Sequence, residues 1–430
     1  MSTLSLSASV EPAPLSLRKR IAFSVVLGVA LLAMIEGLSA VYLNFFGQHP
    51  RSLAARNVPW HVYDPYRNHA LGPNWESDGR LHNAQGFRRS TDVSLAKPAN
   101  GYRIFLMGGS AAYGLSSGAP FPPVTITNTQ TIDYKLERLL QPLFPERRIE
   151  VINAAVTAYW THHHLIYLNE AILDYHPDLI IFLDGINDYY HDQPDHRQFQ
   201  SYQYSMTLTM GLLNHPSGND VLRTFLNWTK WYSNAAFILN EGAGRAFGWN
   251  AAPEDPCNTE VIPPERLTVE FAQQYETIAR RTWVRTLREI LLLLNDQGVA
   301  AITTLQPELI FTPSRGRSPG DRRLLEIELG YRPRFYSEKK EFLRPIARRL
   351  AGETAQNLGA TFVDLTDAFD GAAQYLIDYC HLSEAGSERV AEVLLPYVKA
   401  KIEQAPVHSV QRAESHLDSA PNASIILASQ

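Results

Sequence analysis

Ser110 stands at the tip of a Gly108-Gly109 turn in the run RIFLMGGSAAYG, Arg103 to Gly114, and far downstream IDYCHLSEAG places Asp378 and His381 three residues apart. A hydroxyl, an imidazole and a carboxylate are the residue types of covalent acyl transfer. A base takes the serine proton, and a carboxylate fixes the base in one tautomer. Two stretches between them offer hydrogen-bond donors. VINAAVTAY puts Ala158 in a turn able to aim its backbone N–H outward, and GIND supplies Gly185, Asn187 and Asp188. Taken singly, each fragment has an ordinary structural reading. Gly-Gly-Ser is a common loop, Asp378 a turn former, His381 a helix cap and Asn187 a loop-shaping residue. Their order along the chain gives them joint meaning.

The elements that must position these residues read as an alternation of strands and helices, the pattern of a mostly parallel α/β sheet. Ile104 to Met107 is a short apolar strand closed by the double glycine, whose missing side chains permit a tight bend. Further strands are expected at Ile149 to Val156, Leu179 to Leu183, Val299 to Pro307 and in TFVDLTDAF from Thr361. Helices are expected at Thr129 to Leu140, Thr161 to Tyr175, Phe271 to Asp296, Glu338 to Leu358 and Glu384 to Glu403. Each candidate residue then falls at the carboxyl end of a strand, where open α/β sheets bind ligands.

This set of blocks resembles the SGNH (GDSL-type) serine hydrolases, over about Arg103 to Lys401. The resemblance implies a three-layer α/β/α sandwich and an ester hydrolase. It implies Ser110 as nucleophile, His381 as general base and Asp378 as the carboxylate behind it. The oxyanion hole would comprise the Ser110 N–H, a second-block N–H at Ala158 and the Asn187 side chain. Two departures stand out. The second-block glycine is Ala158, whose backbone donor survives unless φ is positive, where alanine is strained. The first block reads GGSA instead of GDSL, as in membrane-anchored members. Acylated carbohydrate is the implied substrate class, with O-acetyl esters foremost. The same serine also suits an O-acetyltransferase, and a non-catalytic envelope-binding module is the third reading.

The amino end fixes the expected location. Arg18-Lys19-Arg20 precedes an apolar run from Ile21 to Phe46 interrupted by Glu36. The run is long enough to cross a bilayer, and the basic cluster predicts that the amino end stays inside and the remainder is exported. A carboxylate near the bilayer centre costs on the order of 3 kcal/mol, which makes Glu36 the awkward residue. A cleaved signal peptide ending near Ser39-Ala40 is the rival to an uncleaved anchor. The expected organisation is a leader over 1–20, an anchor helix over 21–46 and a juxtamembrane connector over 47–100 wrapped on the domain. The hydrolase-like domain follows over 101–404 with an insertion at 190–266, and 405–430 is a disordered tail.

The formal net charge of −5 gives no support for a nucleic-acid partner. Two cysteines, Cys257 and Cys380, form no zinc pattern but suit one disulfide in an oxidising compartment. His162-His163-His164 does not suggest a metal site, because neighbours on a helix point about 100° apart. No cofactor is expected. In the connector, Phe87 reads as an anchor of a turn and Arg88 as either part of that turn or a residue at the site's rim. Asp64, Asp174 and Asp178 read as surface or turn carboxylates. The insertion aromatics Tyr202, Tyr204, Trp228, Trp231, Tyr232 and Trp249 suit either sugar stacking or a small core.

Overall fold

The computed structural model describes residues 16–46, 60–64, 66–118, 120–191, 225, 233–247, 265, 267–331 and 334–405. The insertion aromatics named above, Cys257 and the tail beyond residue 405 lie outside them. The chain divides into two compact units, one formed by Met1–Val58 with Met210–Ala252 and the other by Pro59–Thr209 with Pro253–Gln430.

In the smaller unit, helix α1 (Leu17–Phe46) is long and apolar enough to cross a membrane. Glu36 is not left bare on it. Its carboxylate accepts bonds from the Ser233 hydroxyl at 2.8 Å and from the Asn234 N–H at 2.5 Å, at the start of a helix spanning Asn234–Phe247. Helix amino termini carry unpaired N–H groups and partial positive charge, so a carboxylate is well placed there.

The larger unit is built on a parallel sheet with strands β5 (Gly101–Gly108), β6 (Arg148–Asn153), β7 (Leu179–Asp184), β8 (Ala300–Leu305) and β9 (Thr361–Asp364), in the order β6-β5-β7-β8-β9. Ile104, Phe105, Leu106 and Met107 are buried, as are Leu179 to Leu183. Strands covered on both faces carry continuous apolar runs, and each such side chain contributes about 1.5–3 kcal/mol when fully buried. Two groups of helices cover the sheet. Ile132–Leu140 packs against Glu384–Gln404, while Trp283–Asp296 packs against Thr161–Glu170, Val269–Arg281 and Arg334–Asn357. Right-handed crossovers place the two groups on opposite faces and give three layers. The order in which strands are added reverses at β5, with β6 on one side of it and β7 on the other, so the loops after β5, β6 and β7 flank the crevice at the carboxyl ends of the strands.

Several boundaries differ from those expected. The single helix expected over Phe271 to Asp296 is two helices, parted at Thr282 (φ −111°, ψ −105°), whose hydroxyl donates back to the Ile278 carbonyl at 2.9 Å. The helix expected from Thr161 ends at Glu170 and continues as a tight 3₁₀ turn from Ile172 to Tyr175. A helix at Pro319–Tyr331 was not expected. The connector is more regular than its sequence suggests. It holds two hairpins, β1 (His61–Asp64) with β2 (Asn68–Leu71) and β3 (Glu76–Ser77) with β4 (Arg80–Leu81). Asp64 is a turn carboxylate, accepting bonds from the Tyr66 and Arg67 N–H groups. Asp178 is more than that, because it takes the Lys97 ammonium at 2.6 Å and the Arg103 N–H at 2.7 Å at the entry to β5.

Candidate active site

The end of β5 is packed too tightly for side chains. A Cβ on Gly108 would sit 2.5 Å from the Leu183 carbonyl oxygen, and one on Gly109 would sit 2.6 Å from Asn187 Nδ2. The double glycine therefore lets the first and third blocks touch beside Ser110. Ser110 opens a single helical turn, Ser110–Tyr113, with Ala111 and Ala112 buried against the sheet. Behind that turn Arg88 is fully buried. Its guanidinium donates to the carbonyls of Tyr113 and Gly114, both at 2.6 Å, and of Ile126 at 2.5 Å, and lies 4.3 Å from the Tyr113 ring centre. Arg88 is thus a brace under the serine turn rather than a rim residue, while Phe87 is buried as expected. Asn153 closes the same turn from β6, donating to the Ala112 carbonyl at 3.1 Å and to Asp133 at 2.7 Å. Burial pushes the Asp133 carboxyl up to about 6, against hydrogen bonds from Asn153 and Thr131.

The last block arrives between β9 and the final helix. His381 Nε2 lies 2.8 Å from Ser110 Oγ, and His381 Nδ1 lies 2.6 Å from Asp378 Oδ2. The second carboxylate oxygen, Oδ1, accepts the backbone N–H groups of Cys380 at 2.9 Å and His381 at 2.8 Å. This loop therefore bonds to its own backbone through Asp378 while it orients the imidazole. Burial raises the carboxyl's pKa, but His381 and those two N–H groups outweigh it and the net direction is down. For His381, burial disfavours the imidazolium, yet the Asp378 carboxylate bonded to Nδ1 more than compensates, and the net direction of its pKa is up.

Cys380 is a free, buried thiol whose pKa burial raises, so it is neutral and a poor nucleophile. Donor atoms of Asp378, Cys380 and His381 lie within 4.8 Å of one another, close enough for a metal ion. Both ring nitrogens of His381 are, however, already engaged by Asp378 and Ser110. The three consecutive histidines diverge. His162 Nε2 lies 3.3 Å from Thr286 Oγ1, His163 stacks on Tyr159, and His164 Nε2 sits 2.8 Å from Asp184.

Asn187 and Ala158 are the residues expected to supply the remaining donors. Asn187 Nδ2 donates to the Tyr159 carbonyl at 2.7 Å, which leaves its second amide hydrogen for another acceptor. Its neighbour Asp188 is buried and accepts the Thr161 N–H and hydroxyl, tying the third block to the helix after the second. Ala158 sits at φ +64° on an exposed turn, so the glycine-to-alanine departure is a strained one. Its N–H finds no backbone acceptor among the described residues. A left-handed alanine costs roughly 1–2 kcal/mol. Ala158→Gly is accordingly expected to stabilise the protein by about 1 kcal/mol, after the greater flexibility of the unfolded glycine is allowed for. Urea unfolding of the two proteins checks this, and equal or lower stability of the variant would count against the strain. Sequence reasoning missed the aromatic wall beside the base. The Tyr379 ring lies edge-on to His381 with centroids 6.1 Å apart, and Phe121 follows at 6.2 Å from Tyr379.

No family model matches the chain, and no curated relative matches its sequence. Among solved structures, it is similar to LAE5, an alpha/beta hydrolase enzyme from the metagenome of Lake Arreo, Spain. That likeness has 14% identity, covers 70% of this chain and 96% of that one, and has a TM-score of 0.34. The acetyl xylan esterase AlAXEase is similar at 10% identity over 69% of this chain and 99% of that one, with a TM-score of 0.35. The acetylxylan esterase Axe2 from Geobacillus stearothermophilus is similar at 14% identity over 73% and 100% of the two chains, with a TM-score of 0.34.

Proposed function

We propose that this chain is a serine ester hydrolase of the SGNH type that cleaves O-acyl, foremost O-acetyl, esters through an acyl-serine intermediate. The observation that carries this reading is the unbroken chain from Ser110 Oγ to His381 Nε2 and from His381 Nδ1 to Asp378, at 2.8 and 2.6 Å. His381 takes the serine proton as Oγ attacks the ester carbonyl. The imidazolium then gives that proton to the departing alcohol, and water repeats the sequence on the acyl-serine. The Ser110 N–H, the Ala158 N–H and the free Asn187 amide hydrogen are the donors for the tetrahedral oxyanion, each worth about 3 kcal/mol. An anchor helix with its basic flank inside would put the domain on the extracytoplasmic side, where acylated carbohydrate is the substrate class within reach.

A fluorophosphonate reacts with an activated serine and remains attached. With the full-length chain in detergent, one adduct is expected, mapped by mass spectrometry to the peptide carrying Ser110 and missing from Ser110→Ala. A folded wild-type protein that takes no adduct, or an adduct that persists in the variant, would sink the proposal. Turnover of a small acetate ester by the wild type in water alone separates hydrolysis from transfer to a sugar hydroxyl.

A further inference from the structure

The turn that carries Ala158 needs a partner to keep its shape. Val156 to Tyr159 is a four-residue turn closed by the Tyr159 N–H donating to the Val156 carbonyl at 3.1 Å. Positive φ at its third residue, Ala158, and not at Thr157, makes it type II. Type II turns favour glycine at that position, whereas type I accepts alanine without strain. The two forms interconvert when the central peptide, here Thr157 C=O to Ala158 N–H, turns over. In a trans peptide these two groups point in opposite directions, so whatever holds the carbonyl also aims the N–H. Left to local preference, Val-Thr-Ala-Tyr would turn this peptide over and carry the donor away.

The connector hairpin supplies the hold. His61, Tyr63, His69 and Leu71 fall on one face of β1–β2, because His61 pairs with Leu71 and Tyr63 with His69. From that face His69 Nε2 donates to the Thr157 carbonyl at 2.9 Å, and His61 Nε2 lies 2.9 Å from the Thr157 hydroxyl. The Tyr159 hydroxyl returns a bond to the His69 carbonyl, and the His69 ring packs edge-on to Tyr159. Both flanks of Ala158 are therefore fastened to the hairpin, while Asn187 holds the Tyr159 carbonyl from the opposite block.

We infer that His69 is a positioning residue for the reaction proposed above: its Nε2–H, bonded to the Thr157 carbonyl, keeps the central peptide in the type II orientation that presents the Ala158 N–H to the oxyanion. The inference rests on the hydrolase reading and accounts for how alanine occupies a glycine position. It also gives residues of the connector a role in turnover without contact with substrate.

The test uses the full-length chain in detergent, with kcat and KM for a small acetate ester, the rate of fluorophosphonate capture at Ser110, and a thermal melt. His69→Ala is expected to lower kcat and the capture rate about 10²-fold, the scale of one lost oxyanion donor, with KM within about twofold. In His69→Gln the amide nitrogen can take the place of Nε2 as donor to Thr157, and at least tenfold of the loss is expected to return. In an Ala158→Gly background, where glycine holds the type II turn unaided, His69→Ala is expected to cost at least tenfold less than it does beside alanine. Equal loss in both backgrounds, or a His69→Ala protein with unchanged kcat and capture rate, overturns the positioning role. Wild-type protein that melts normally yet captures no fluorophosphonate overturns the hydrolase reading itself, so the two failures are distinguishable.

Discussion

Asp378→Asn is expected to lower kcat for a small acetate ester by about 10⁴-fold while leaving the fold in place. The carboxylate does two things here, and asparagine loses both. Asp378 Oδ2 accepts from His381 Nδ1 at 2.6 Å, fixing the tautomer in which Nε2 is free to take the Ser110 proton. An asparagine can present its NH₂ group to Nδ1 and select the wrong tautomer, as well as leaving the imidazolium of the transition state without its counter-charge. The other oxygen still accepts the Cys380 and His381 N–H groups, so loop geometry survives. The pH profile supplies a second readout. His381 must be neutral to act as base, and its pKa is held above the usual histidine value, against burial, by the Asp378 carboxylate. Wild-type kcat/KM therefore rises with pH along a limb displaced upward from that of an ordinary histidine, as the imidazolium loses its proton. Without the carboxylate the imidazolium is less stable, and the remaining activity is expected to reach its plateau at lower pH. A variant that keeps a tenth or more of wild-type kcat, with its limb unmoved, would show that Asp378 does not serve the base.

The sheet was legible because its strands are covered on both faces. Ile104 to Met107 and Leu179 to Leu183 show as continuous apolar runs closed by glycine or Asp-Gly, and the structure places strands on both. The expected residues come together for a related reason: their blocks lie beyond strand ends, which a parallel sheet brings to one edge whatever the separation in sequence. Ser110, Asp378 and His381 meet as a bonded chain, and Asn187 lies against Gly109 beside them.

What escaped the sequence is held by polar and aromatic side chains with no period to betray it. The connector fastens itself through His61, His69, His82 and Arg88. His82 Nε2 and Trp60 Nε1, for instance, both reach the Tyr113 hydroxyl. Its strands are two to four residues long, too short to display alternation. The break at Thr282 is likewise silent. Neither glycine nor proline marks it, and a threonine hydroxyl bonding back to Ile278 is read only from coordinates. Ala158 was recognised as a departure, but the sign of its φ depends on the hairpin bonded to its neighbours. Local sequence disfavours that conformation, and tertiary contacts impose it.

Arg88→Met, close in length but without donors, is expected to destabilise the protein by about 3–5 kcal/mol, the scale for breaking a buried charged contact. Three carbonyls, those of Tyr113, Gly114 and Ile126, would lose their partner in a region closed to water. Each buried acceptor left unsatisfied costs about 1–3 kcal/mol. Relief from burying the guanidinium offsets part of that sum, since burial already presses its pKa downward. At about 2–4 °C per kcal/mol for a domain of this class, the melting temperature should fall by roughly 10 °C. Arg88→Lys is expected to recover only part of the loss, because one ammonium cannot reach three carbonyls in the planar fork that arginine presents. The same bonds fasten the carboxyl end of the helical turn that Ser110 opens, so kcat should fall in Arg88→Met even below its melting transition, with KM less affected. Thermal melts of the three proteins, with kinetics at a temperature where all are folded, decide the matter. A methionine variant that melts within 2 °C of the wild type, a margin under about 1 kcal/mol, would mean that the guanidinium does not brace the serine turn.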